Sequence, residues 1–99
     1  MWEDKGEVGG GIMKVIQFKS LPCFFFKEEG GAKPNTERVI PESDPRQKAL
    51  SSLTPPTHIR ITNKDNPKLT FKRKITDITF YNGEWVISWK HEGKITWGD

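Results

Sequence analysis

The sequence predicts an α+β fold. The expected form is a small β-barrel of about five or six mostly antiparallel strands carrying two short helices, with an open α+β sheet as the alternative. Three observations predict it. The stretches "THIRIT", "LTFKRKI", "ITDITFY" and "EWVISW" place apolar residues with the two-residue period of strands. Asn82-Gly83, between the last two, is the preferred pair for a two-residue type I′ hairpin turn. Pro22 and Pro45 each lie in the first turn after a polar residue that can cap a helix (Ser20, and Ser43 or Asp44), and glycines or prolines stop both helices early.

The bulk properties fit one small domain. The chain has 99 residues, 33% of them hydrophobic, and its mean hydropathy is -0.68. Such a chain is polar, yet its aromatic content of 11%, with four Trp and six Phe, excludes a wholly disordered polymer. The lone Cys23 excludes an intramolecular disulfide or a cysteine-cluster zinc site. Its position before three Phe residues predicts a buried, inert thiol. No apolar run approaches the ~20 residues of a membrane span. The acidic, glycine-rich start is unlike a secretory signal, so the expected compartment is the cytosol.

Each element has a local reason. Residues 1–12 hold four glycines and no periodicity, and are expected to be a flexible leader before "MKVIQF". Residues 13–19 read as a first strand burying Val15, Ile16 and Phe18. Ser20 is expected to cap a helix over residues 21–29, which Gly30 and Gly31 end. "TERVI" is a short strand on which Thr36 and Arg38, two apart, share a face, with Lys33 just before it. A second helix starts at Ser43 or Asp44 with Pro45 in its first turn, buries Ala49 and Leu50, and stops at Pro55 and Pro56.

Ile59 and Ile61 then point inward, with His58, Arg60 and Thr62 outward. Leu69, Phe71 and Ile75 return on odd positions. The hairpin register pairs Phe80 with Trp85, Ile78 with Ile87, and Thr76 with Trp89. The apolar phase flips between Ile75 and Ile78, which predicts a bulge near Thr76 and Asp77. The domain is therefore expected to span residues 13–92, with a tail over 93–99.

The formal charge is +3. Between residues 58 and 74, six cations (Arg60, Lys64, Lys68, Lys72, Arg73 and Lys74) face one acid, Asp65. A local excess of this kind attracts polyanions, although a solvated sheet face has the same composition. His58 and His91 lack metal-ligand spacing, so neither a metal nor a cofactor is expected. Lys33, Thr36 and Arg38 remain. A guanidinium reads phosphate or a base edge bidentately, a desolvated lysine can act as a base, and a threonine hydroxyl can be a ligand or a nucleophile. The plain alternative is a helix stop followed by an ordinary strand with two surface cations.

"GAKPNTERVI" resembles the G-x-K-x-x-[ST]-x-R signature of ASCH domains, the small PUA-like β-barrels. Gly31, Lys33, Thr36 and Arg38 stand at its four fixed positions. "LPCFFFKEEGG" is similar to the helix that precedes the signature, and residues 58–92 resemble the barrel strands of short phage and prophage ASCH-like proteins. The resemblance implies a PUA-like barrel with a cleft beside the signature, and binding of RNA or nucleotides. One branch of that family hydrolyses N4-acetylcytidine with a lysine and a threonine at the positions of Lys33 and Thr36. It also uses a glutamate from an acidic insert that this chain lacks, and Glu84 is the nearest substitute.

Three functions follow as expectations. The first is an RNA or nucleotide binding module. Lys33 and Arg38 hold phosphate, Thr36 makes a hydrogen bond, Arg73 and Lys74 extend the basic surface, and Tyr81 or Trp85 stacks on a base. The second is an amidohydrolase of a modified nucleoside, with Lys33 as base, Thr36 as nucleophile and Glu84 completing the set. The third is a phage-type module that binds another protein.

Overall fold

The computed structural model describes residues 3–8 and 11–92. It contains six strands and two helices: β1 (Glu3–Val8), β2 (Gly11–Ser20), α1 (Pro22–Glu29), β3 (Asn35–Arg38), α2 (Pro45–Leu50), β4 (His58–Asn63), β5 (Thr70–Tyr81) and β6 (Glu84–Trp89). The fold is α+β. The strands form one curled sheet in the order β1-β2-β4-β5-β6-β3. All neighbours are antiparallel except β2 and β4, which run parallel. Residues 21–57, with both helices, lie between these two strands in sequence, as a parallel crossover requires.

The curl comes from β5. Its first half pairs with β4 and its second half with β6, and the register shifts between Ile75 and Asp77. The extra residue is Thr76, where the flip of apolar phase places a bulge. The bulge also moves the end of the hairpin: Trp89 pairs with Ile75, not with Thr76. The turn itself has Asn82 at φ 54° and Gly83 at φ 80°, the double positive φ of a type I′ turn. Phe80 and Trp85 face each other with ring centroids 4.9 Å apart.

The core lies inside the curl. Ile16, Phe25, Ile59, Ile61, Phe71 and Ile87 are fully buried, and Trp85 and Trp89 nearly so. α2 keeps the expected capping: Asp44 accepts from the Arg46 N–H, Pro45 occupies the first turn, and Ala49 and Leu50 are buried. Arg46 holds the Asp44 carboxyl down at about 2, chiefly by hydrogen bonds from its side chain and backbone.

Four further details differ from expectation. The segment expected as a leader contains β1, which pairs with β2 from Val15 back to Gly11, so the exposed edge of β2 recruited residues of weak strand pattern. Ser20 does not cap α1; Leu21 is the N-cap residue and makes no side-chain cap bond. Cys23 is exposed, because the buried face of α1 is set by Phe25, Glu28 and Glu29. Arg73 is wholly buried, since it shares the odd phase of Phe71. The expected tail, residues 93–99, lies outside the described residues.

Candidate functional site

The first and last parts of the sheet order do not meet through a ladder. β1 pairs with β2 only as far as Val15. Beyond that point the outer edge of β2 has no strand partner among the described residues. Two arginines reach it instead. Arg46 Nη1 donates to the carbonyl of Gln17 at 2.8 Å, and Arg38 Nη1 donates to that of Lys19 at 2.8 Å. Both guanidiniums lie over the Phe18 ring, with their central carbons 4.9 Å (Arg38) and 4.6 Å (Arg46) from its centroid. Side-chain cations thus close the seam that strand pairing leaves open.

Arg38 reaches the seam because of its register. It stands opposite Trp85, and Thr36 opposite Ile87. Cross-strand partners share a face, so both residues point into the curl. Arg38 Nε donates to Thr36 Oγ1 at 2.8 Å, and Nη2 donates to Ser20 Oγ at 2.7 Å. Ser20 Oγ in turn donates to Glu28 Oε1 at 2.8 Å. The other carboxylate oxygen lies 3.6 Å from Lys33 Nζ, which donates to the Asn35 carbonyl at 2.9 Å. One buried carboxylate therefore serves two cations, Lys33 directly and Arg38 through a serine. Burial lowers the Arg38 pKa, Glu28 pulls it back up, and the neighbouring Arg46 lowers it further.

Gly31 positions Lys33. It sits at φ +91°, and a Cβ there would lie 2.7 Å from the His91 ring. The glycine lets the chain leave α1 in a left-handed turn and pass under that ring. The Lys33 N–H then donates to the Lys27 carbonyl at 3.0 Å.

Two clefts flank this network. One, of about 320 Å³, is lined by Ser20, Phe24, Glu28, Lys33 and Thr36 among others. The second, of about 490 Å³, is lined by Phe18, Val39, Ile40, Arg46 and Thr62 among others. Lys19, Arg38 and Lys64 line both. The combined groove holds five cations (these three with Lys33 and Arg46) and two carboxylates, Glu28 and Glu37.

Lys33, Thr36 and Arg38 thus meet at one concave site, the arrangement the sequence pattern raised as a possibility. The other candidates lie elsewhere. Arg73 faces the core, its guanidinium 4.9 Å from the Phe71 centroid and its Nη1 donating to the Lys72 carbonyl, so it adds nothing to an outer basic surface. Lys74 is exposed but stands opposite His58 on β4. Glu84 pairs with Tyr81 at the hairpin end and lines neither cleft. Tyr81 is exposed at the same end, and Trp85 is core. No cluster of three or more His, Cys, Asp or Glu residues able to hold a metal occurs among the described residues. No helix there is long and apolar enough to cross a membrane.

Sequence reasoning missed Glu28, Ser20, Lys19, Arg46 and Phe24. For Glu28 a signal existed: it follows Phe25 by three residues on a helix, and so shares its buried face. Nothing local marks Ser20 or Lys19, whose importance comes from where β2 ends. No family model, curated protein or solved structure matches this chain.

Proposed function

We propose that the seam groove is a binding site for RNA or a nucleotide, in a cytosolic module of the ASCH type. The observation that carries this reading is the convergence of Lys33, Thr36 and Arg38 on a cleft that also presents the half-exposed Phe24 ring. Exposed Lys19 and Lys64 line it too, with no ion-pair partner among the described residues. Cations for phosphate beside an aromatic face for a base are what single-stranded nucleic-acid sites combine. Arg38 uses three of its five N–H donors internally, which leaves two for an oxygen of the ligand. A phosphate beside Arg38 and Arg46 also relieves their mutual repulsion. Thr36 is buried and its hydroxyl accepts from Arg38, a geometry that suits a support better than a nucleophile.

The test is fluorescence anisotropy of a labelled single-stranded RNA decamer at several salt concentrations. Lys19→Ala and Lys64→Ala are the variants, because neither lysine is tied into the fold. Each should weaken binding and flatten the log affinity against log salt slope by roughly 0.7, the value for one single-strand phosphate contact. An unchanged affinity and slope in the double variant would overturn the proposal.

A further inference from the structure

Building on the binding role proposed above, we propose that the groove takes two adjacent nucleotides of a single strand. One base occupies each cleft, and the phosphate that links them rests on the ridge between. Three features of the seam carry this. First, the residues shared by the two clefts, Lys19, Arg38 and Lys64, are all cations. A bridging phosphate is the part of a dinucleotide that two neighbouring base sites share, so the shared wall is where its charge belongs.

Second, each cleft has its own flat surface. In the smaller it is the Phe24 ring, 47% exposed. In the larger it is the Arg46 guanidinium, lying over Phe18 and held flat by Asp44. Arg46 Nε donates to both Asp44 oxygens at 3.1 Å, and Nη2 donates to Oδ2 at 2.6 Å. A guanidinium plane fixed in this way accepts a base as an aromatic ring does. The two surfaces come from different helices, α1 and α2, and each lines only one of the two clefts.

Third, the volumes, about 320 and 490 Å³, are at the scale of small-molecule sites. They admit an unstacked nucleoside each. A duplex, with its bases paired and stacked, offers none to either surface.

The experiment compares two probes by NMR titration of the full chain. Adenylyl-(3′→5′)-adenosine carries one phosphodiester and two bases; adenosine 5′-monophosphate carries more negative charge but one base. Two base sites around one phosphate predict that the dinucleotide binds about ten-fold tighter or more, the usual effect of one additional stacked base. Phe24→Ala and Arg46→Lys should each remove most of that advantage, since the lysine retains charge and loses the plane. Equal or tighter binding of the mononucleotide would overturn the two-site inference and leave nucleotide binding standing. Failure of both probes and of the RNA decamer would overturn the binding role itself.

Discussion

Replacing Glu28 tests whether one carboxylate organises the site. The side chain is 2% exposed, while that of its partner Lys33 is 29% exposed. Glu28→Gln keeps the shape and an acceptor for Ser20 but removes the charge. A hydrogen bond to a charged group contributes about 1.5–3 kcal/mol and a neutral one about 0.5–1.5, so the bond to Ser20 loses about 1–1.5 kcal/mol. The pair with Lys33 adds only about 0.2–1 kcal/mol, because water reaches the lysine and rehydrates it. The expected loss is therefore about 1–2.5 kcal/mol. Glu28→Ala removes both contacts and opens a void beside Ser20, for an expected loss of about 3–5 kcal/mol. Urea denaturation at neutral pH, followed by tryptophan fluorescence, measures both through the transition midpoint at constant m-value. If both variants fall within about 0.5 kcal/mol of the parent, the normal scatter for surface changes, Glu28 is not an anchor of this site.

Two further outcomes are expected. Gly31→Ala should lose about 1–2 kcal/mol from the left-handed backbone alone and more from displacement of His91; in a His91→Ala background only the backbone part should remain, and equal losses in the two backgrounds would refute the close-approach account. Burial, then Lys72 and Lys74, hold His58 below its usual value of 6.5, with Glu92 opposing. The unfolded chain therefore takes up the proton first as pH falls, and stability should decline from about pH 6.5 downwards until the folded form also protonates; His58→Gln should flatten thermal stability measured across that window, and an unchanged pH profile would contradict it.

The parts of this fold that were legible are those fixed by neighbours in sequence. Asn82-Gly83 sets its own turn and hence the pairing of Phe80 with Trp85. Asp44 and Pro45 start α2 whatever lies around them. The shift at Thr76 could be read because apolar residues on either side disagreed in phase. Arg73 is instructive in the opposite sense. Its odd position, between Phe71 and Ile75, placed it inside, but a charge is normally expected in water, and composition outweighed parity. The long stem and the Phe71 face make that burial tolerable.

The candidate site was legible only in part. Thr36 and Arg38 share a face by spacing alone, and Lys33 is fixed by the glycine turn before it. Their partners were not, because Ser20 and Glu28 matter only after β2 and α1 have been brought against β3. Lys19 and Arg46 matter only because β1 covers half of β2 and leaves carbonyls exposed. Such facts belong to the meeting of distant elements and leave no short-range pattern.

A seam held by side chains has a consequence for energetics. β2 and β3 are far apart in the strand order, and across it they are tied by arginine contacts to single acceptors. A ligand bound there as proposed would touch both sides and act as a removable crosslink between them. Occupancy then shifts the folding equilibrium itself, by about 2.7 kcal/mol when ligand stands at a hundred times its dissociation constant. With the groove binding as proposed, folding and binding there would be one coupled equilibrium, and the melting temperature of the domain would report on its occupancy.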